Sequence, residues 1–368
     1  MLIKEMKYSY NDITIVPAPI TTVEHRADCN PYLNDGMLPI FTAPMSSVVS
    51  EENFNLFESN KINAILPRSY SFNKRKEYAL KGKWAAFSLQ EFENNFVEKF
   101  DNEVAPKVLI DIANGHMQKL YDLVRQSKDN WGEKNIIIMI GNIANPLTYK
   151  EVVDCGADFV RVSVGSGMGC ITSSNTSIHY PLASLVQETY LIKRQISEQM
   201  GVSLDALPKI IADGGVRNYS DVIKALALGA DYAMIGGIFS ALVESAAKMY
   251  FNDKEVLPLS RHKVVEHNGI FTITDKENGK LYSANELKKR FYGMASKQGQ
   301  IDMYGVKQKT AEGIVKYINV TTNLNKWVEN MIAYLQSAMS YTNIFRVSDF
   351  DTVTTVVIST NTYVSVNK

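Results

Sequence analysis

Gly165-Ser166-Gly167-Met168-Gly169-Cys170-Ile171-Thr172 follows directly on the strand-like run Asp158–Val164. Three glycines in five residues let the backbone turn tightly and approach a ligand closely. They carry a cysteine and a threonine to the end of that strand. A cysteine on a glycine-built loop is well placed to act as a nucleophile. The alternative is a tight turn with a small buried thiol, since free cysteine is among the most buried residue types.

Outward from this loop, short apolar and β-branched runs recur. They are Pro39–Thr42, Ile62–Leu66, Trp84–Ser88, Val108–Ile112, Ile136–Ile140, Phe159–Val164, Ile210–Asp213 and Tyr232–Gly236. Segments with helical spacing lie between or after them, among them Val49–Asn60, Gln118–Ser127, Pro146–Gly156, Tyr219–Gly229 and Phe239–Tyr250. Strands that alternate with helices indicate parallel βαβ units, and runs that are apolar throughout fit strands buried on both faces. Eight units over about 200 residues predict an α/β fold of the (β/α)8 TIM-barrel type; a doubly wound open sheet is the competitor.

A barrel puts its chemistry just after the C-terminal strand ends. The unusual residues fall there. Ala43-Pro44-Met45-Ser46 follows the first strand and Arg68 the second. Asp111-Ile112-Ala113-Asn114-Gly115 ends the fourth, and Gly141-Asn142 the fifth. Asp213-Gly214-Gly215 ends the seventh, and Gly236-Gly237 the eighth. Glycine pairs after the seventh and eighth strands suit a phosphate, held by backbone amides without any lysine. Short βα turns are the plainer reading. Asp213 beside them either accepts hydrogen bonds from two ribose hydroxyls or caps a turn.

Composition excludes several classes. Of 368 residues, 45% are hydrophobic, and 39 basic residues balance 39 acidic ones. There is no basic field for nucleic acid, so an anion must be held locally. Three widely spaced cysteines, Cys29, Cys155 and Cys170, argue for a reducing compartment rather than a disulfide framework. No start resembling a signal peptide and no run near the ~18 apolar residues of a membrane span is present, so a cytoplasmic protein is expected. G-x-G-x-x-G fails because Cys170 stands where its last glycine would be, and no P-loop occurs. The five histidines have no zinc-ligand spacing; His116 either faces the site or is a satisfied surface residue.

Lys193–Pro208 lengthens the connection between the sixth and seventh strands, where Thr189–Met200 reads as helix and Ser203–Pro208 as loop. Lys263–Ser283 reads as a β-hairpin appendage with its turn at Asp275–Lys280. Gln298–Gly313 is polar, glycine-bearing and without strong periodicity, as in a mobile flap. Trp327–Met339 reads as an amphipathic helix. Thr352–Ser365 reads as a strand, paired with the N-terminal lead-in or with another subunit. The expectation is one domain over 1–368, with the barrel at about 38–250 and the appendages at 251–368.

Together these residues resemble the IMP dehydrogenase/GMP reductase family. The likeness rests on the cysteine loop, Ala43-Pro44-Met45, Gly141-Asn142, Ala212-Asp213-Gly214-Gly215, Met234-Ile235-Gly236-Gly237 and Tyr292-Gly293-Met294, all in order. Within the family the chain is more similar to the reductase branch. No regulatory CBS tandem is inserted after the second strand. Asp111–Gly115, Tyr292–Ser296, Ala311-Glu312-Gly313 and Leu335–Tyr341 read as reductase-like, and Tyr304 follows Met303 rather than the dehydrogenase's arginine.

The resemblance implies NADPH-dependent reductive deamination of GMP to IMP and ammonia. Cys170 is the implied nucleophile and Thr172 its proton-transfer partner. Lys297 stands where reductases carry glutamate, and Glu312 is the carboxylate expected to substitute. Gly214, Gly215, Gly236, Gly237 and Tyr292 are implied for the phosphate, and Asp213 for the ribose. Met45, Ser46, Gly169, Gly293, Met294 and Ala295 are implied around the nucleotide. Arg68, Asp111, Ala113, Asn114 and Gly115 are implied on the NADPH side. Carbonyls of Gly165, Gly167 and Cys170 are implied for a monovalent cation such as K+, and a homotetramer for the assembly. The alternatives are an IMP dehydrogenase without regulatory domains, a purine-nucleotide-binding relative with lost or altered catalysis, and a flavin-binding barrel.

Overall fold

The computed structural model describes residues 5–132, 135–252, 254–256, 262–267, 270–306 and 310–358. Eight parallel strands form one sheet, here β1 (Ile40–Thr42), β2 (Ile65–Leu66), β3 (Trp84–Phe87), β4 (Lys107–Ile110), β5 (Ile137–Ile143), β6 (Phe159–Val162), β7 (Lys209–Asp213) and β8 (Tyr232–Ile235). Neighbours pair in sequence order from β2 to β8, and β8 pairs with β1. A parallel bridge between Phe41 and Asn63 brings β1 back to the entry of β2 and closes the ring. All eight predicted strands are present, with ends shifted by a few residues. The architecture is the (β/α)8 barrel.

Side chains alternate across each strand, so the sheet has two apolar faces. The inner face carries Phe41, Trp84, Leu109, Met139, Ile211 and Met234. Phe41, Trp84, Phe159 and Tyr232 meet there edge-on or tilted, with ring centroids 4.9–6.0 Å apart. Trp84, Phe159 and Tyr232 each begin their strand, so this cluster fills the N-terminal end of the barrel. The outer face packs against the helices in one large core that also contains Leu324, Trp327, Met331 and Met339.

The segment after the eighth strand departs from the expected pattern. Phe239–Tyr250 does not form a helix; only Gly237–Ser240 is helical, and Met249–Phe251 is a strand. The chain's polar groups are satisfied differently there. Asn53 donates to the Glu244 carbonyl, and the Lys289 amine donates to the carbonyls of Ser245 and Ala247. The outer layer is completed instead by the helix Leu324–Tyr341, whose Trp327 ring meets Tyr219 and Phe239 at 5.4 and 4.8 Å.

Between Ser240 and Leu324 the chain makes an excursion over the C-terminal mouth. Its base is a four-stranded antiparallel sheet of Lys254–Val256, Met249–Phe251, Lys288–Tyr292 and Val315–Asn319, in that order. The predicted hairpin is a three-stranded meander, His262–His267, Ile270–Asp275 and Leu281–Ser283, with a turn at the expected Asp275–Lys280. The predicted irregular flap contains the helix Lys297–Tyr304, capped by the Ser296 hydroxyl and ended by Gly305 in the left-handed region. Flap residues 307–309 lie outside the described residues. At the other end, Thr355–Val357 pairs antiparallel with Ile13–Ile15, the N-terminal lead-in. The rest of that predicted strand, 359–365, lies outside the described residues. Among the described residues no helix is long and apolar enough to cross a membrane.

Candidate active site at the barrel mouth

Pairing of Tyr292 with Val315 pins both ends of the flap to one sheet. The flap then lies directly on the cysteine loop. Ile314 donates its amide to Gly169 at 3.0 Å, and Ile171 donates to the Glu312 carbonyl at 2.9 Å. Glu312 in turn donates its amide to Ala295 at 3.1 Å. Gly313 pairs with both Cys170 and Ser296. A Cβ on Gly313 would come within 2.9 Å of the Ser296 amide, so only glycine fits between the two segments.

These backbone bonds align three side chains. The half-buried Cys170 thiol donates to the Thr172 hydroxyl at 3.3 Å. The Thr172 hydroxyl donates to Glu312 Oε2 at 2.8 Å. Lys297, by contrast, is exposed at the first turn of the flap helix. The carboxylate that reaches the threonine is Glu312.

The glycine turns lie against the same loop. Gly214 and Gly215 have φ of 84° and 68°, where a side chain would be strained. A Cβ on Gly214 would be 3.3 Å from the Gly167 amide, and one on Gly237 would be 2.9 Å from the Met168 methyl. A Cβ on Gly236 would be 3.0 Å from the Met45 sulfur. The amides are partly engaged. Gly215 donates to the Ser166 carbonyl at 3.2 Å, and Gly214 to that of Met234 at 3.4 Å. The Ser166 hydroxyl is buried with no partner among the described residues.

Tyr292 donates its hydroxyl to Asp302 Oδ2 at 2.6 Å. Burial, reinforced by that carboxylate, pushes the tyrosine's pKa well above its ordinary value. Ser46 also directs its hydroxyl at Asp302, at 3.4 Å, and at the Met294 sulfur, at 3.3 Å. Gly293 packs on Gly169, whose own Cβ position would fall 3.1 Å from the Gly293 amide. Asp302 is not among the residues singled out from sequence; a single acid in a polar segment gives no signal.

A second cluster sits deeper in the mouth. Arg161 follows Phe159 by two positions on β6 and so faces the barrel interior. It is buried, and donates to Asp213 Oδ2 through Nε and Nη2 at 3.1 and 2.8 Å, and to Asp111 Oδ1 through Nη1 at 2.6 Å. Asn142 adds a 2.6 Å bond to the same Asp213 oxygen. Burial alone opposes the guanidinium charge, but Asp213 and Asp111 hold its pKa above the ordinary value. Arg161 was missed from sequence. Its signal is a lone charge inside Phe-Val-Arg-Val, a run otherwise fit for burial on both faces.

Asp213 Oδ1 and Asp111 Oδ2 take no donor among the described residues and remain available as acceptors. Asn114 uses its oxygen on the His116 amide, which leaves its NH2 group as a donor. Ala113 is exposed beside it. Gly115 is a packing glycine, since its amide donates to Asn142 and a Cβ would meet that carbonyl at 2.6 Å. Arg68 donates to the Asp111 carbonyl at 3.2 Å and to the Tyr304 hydroxyl at 3.1 Å. His116 is a satisfied structural residue, bonded to Thr148 and to the Ala144 amide, both at 3.0 Å. Gly165 and Gly167 carbonyls already accept from Ser173 and from the Cys170 amide.

The IMP dehydrogenase / GMP reductase domain model matches residues 71–261, which run from the helix after β2 into the excursion. A GMP reductase of Staphylococcus epidermidis is 30% identical over 72% of this chain and 83% of its own. One from Bacillus thuringiensis is 26% identical over 98% of both chains, and one from Shouchella clausii 27% identical over 92% and 91%. With the closed barrel, the cysteine loop and the glycine turns in these positions, the chain belongs to the IMP dehydrogenase / GMP reductase family.

Proposed function

We propose that the chain is a GMP reductase, an oxidoreductase that converts GMP and NADPH to IMP, ammonia and NADP+. The observation that carries this is the continuous path from Cys170 Sγ through Thr172 Oγ1 to Glu312 Oε2, at 3.3 and 2.8 Å. A carboxylate at its end takes the thiol proton by way of the hydroxyl, leaving a thiolate. The thiolate adds to C2 of the purine. The C2–N bond then breaks, and the same path returns a proton to the departing amine. The purine remains bonded to Cys170 as a thioimidate, and the flap stitched over the loop keeps water from it.

Asp213 Oδ1 suits the ribose hydroxyls. The turns at Gly214-Gly215 and Gly236-Gly237, with Tyr292, form the phosphate end. Backbone groups of Gly293, Met294 and Ala295, with Met45, Ser46 and Gly169, surround the base. The acceptor on Asp111 and the donor on Asn114 fit the hydroxyls and carboxamide of a nicotinamide nucleotide, with Arg68 and Ala113 at the rim and Gly115 packed beneath them. NADPH, when bound, supplies the hydride that replaces sulfur at C2. Of the carbonyls implied for a cation, those of Gly165 and Gly167 each accept one hydrogen bond, from the Ser173 hydroxyl and the Cys170 amide, and each keeps a second lone pair. No step runs through a cation. Assembly as a cytoplasmic homotetramer accompanies this reading.

The test is NADPH oxidation followed by absorbance at saturating GMP, with the natural protein and Cys170→Ala. Activity lost in the variant at an unchanged melting temperature supports the reading. Activity that survives in the variant, or none in the natural protein, rejects it. One observation favours a second reading, the IMP dehydrogenase direction. Arg68 reaches Tyr304 at 3.1 Å and so assembles an arginine–tyrosine pair from two segments of the chain. Reduction of NAD with IMP would select it.

A further inference from the structure

We propose that Ser166 binds the 5′-phosphate of the nucleotide, as the side-chain donor that the cysteine loop contributes there. The inference rests on the reading above, which puts the phosphate at the glycine turns.

Ser166 is stitched to the first of those turns. Its carbonyl accepts from the Gly215 amide at 3.2 Å, and a Cβ on Gly214 would lie 3.5 Å from its carbonyl carbon. A Cβ on Gly215 would lie 3.9 Å from the Cβ of Ser166, so this side chain starts beside the turn. Its Oγ is buried and has no partner among the described residues. Buried hydroxyls in folded proteins are nearly always hydrogen-bonded, and one without a protein partner points to a ligand or a water that completes it. The loop offers no other side-chain donor before Cys170. Gly165, Gly167 and Gly169 carry no side chain, and the Met168 methyl lies 2.9 Å from where a Cβ on Gly237 would be.

A phosphate supplies what this hydroxyl lacks. Its oxygens are anionic acceptors, and a hydrogen bond to an anion is shorter and stronger than a neutral one. One step between staggered χ1 wells re-aims a serine hydroxyl. Exposed Gly167 leaves room beside it, since a Cβ there would meet nothing nearer than the Cys170 Cβ at 3.8 Å. Guanosine carries no such anion, so Ser166 favours GMP over the nucleoside. The rival partner is Tyr10 of the N-terminal lead-in. Its hydroxyl is also buried without a partner among the described residues, and its ring comes within 3.8 Å of the same Cβ position on Gly215. A buried water bridging Tyr10 and Ser166 would satisfy both hydroxyls with no ligand.

The experiment measures Kd for GMP and for guanosine by calorimetry in the natural protein, Ser166→Ala and Tyr10→Phe. In Ser166→Ala, GMP should weaken about tenfold or more while guanosine stays within about twofold, the pattern of one lost hydrogen bond to a charged group. In Tyr10→Phe both ligands should stay within about twofold of natural. Equal weakening of both ligands in Ser166→Ala, or GMP unchanged there, overturns the proposal. So does a Tyr10→Phe protein that loses GMP affinity as far as Ser166→Ala does, which would assign the hydroxyl to the bridging water. So does a natural protein that binds GMP no tighter than guanosine. Should Ser166→Ala not fold, Ser166→Gly removes the same hydroxyl and is read in the same way. Every arm reads binding, so absent turnover counts against the reductase reading alone.

Discussion

Thr172 and Glu312 stand 140 positions apart in the chain, yet the threonine hydroxyl donates to the glutamate carboxylate at 2.8 Å. The bond exists because backbone hydrogen bonds from Ile171 to the Glu312 carbonyl and from Ile314 to Gly169 tie this part of the flap to the cysteine loop. A carboxylate so held orients the threonine hydroxyl and can receive its proton. Glu312→Gln keeps the shape and removes the basicity. Turnover should fall about 100-fold or more, in line with the usual contribution of a positioned acid–base group. Lys297→Ala, on an exposed side chain, should stay within about threefold. Steady-state rates of NADPH oxidation check both, and a Glu312→Gln enzyme of natural rate would remove the glutamate from the relay.

Arg161 joins Asp111 to Asp213, so one buried cation neutralises two acids on strands that are not adjacent. Arg161→Gln leaves both carboxylates facing one another without their counter-charge. Removal of one partner from a buried ionic group typically costs about 3–5 kcal/mol. Urea denaturation followed by circular dichroism measures it, and a loss under about 1 kcal/mol would mean that solvent already screens the pair.

Gly141 has φ of 132°, and a Cβ there would lie 2.7 Å from the Arg161 carbonyl and 2.8 Å from its Cβ. No flexible side-chain end is available to move aside, because the obstacle is the backbone of β6. Gly141→Ala should destabilise by at least about 2 kcal/mol and disturb the Arg161 network together with the strand. Thermal melting reads the first effect. A variant that melts like the natural protein would show that β5 and β6 can separate without strain.

Lys289 is buried on the strand that carries Tyr292, and burial pushes its pKa down to about 7, with the charge of Glu244 acting in the other direction. Between that value and the ordinary value near 10.5 the unfolded chain binds the proton and the folded chain does not. Stability from this group therefore rises as pH climbs from 7 to 9 and is lowest below 7. Lys289→Met should flatten the difference. Comparing melting temperatures of the two proteins at pH 6, 7, 8 and 9 tests it; parallel curves would mean that the amine stays charged in the fold.

The barrel was legible because burial on both faces leaves a plain mark: eight runs of apolar, β-branched residues, separated by segments of helical spacing or turn residues. The cysteine loop was legible for a related reason, since three glycines in five residues after a strand mark a tight, closely approached turn. The eighth helix was misplaced because Phe239–Tyr250 has helical spacing, while the carbonyls there are satisfied by Asn53 and Lys289. Neither partner is near in sequence. The flap helix was missed because only its caps, Ser296 and Gly305, mark it.

Sequence alone determined the strand–helix alternation, the cysteine loop, and which residue types gather at the strand ends, because these follow from local periodicity and local backbone freedom. Only the tertiary structure decided which carboxylate reaches Thr172, that Arg161 holds Asp111 and Asp213, and that Asp302 takes the Tyr292 hydroxyl. Each of these is a contact between distant segments. Its existence depends on where the closed barrel and the folded-back flap bring two side chains to within about 3 Å, the range a hydrogen bond requires.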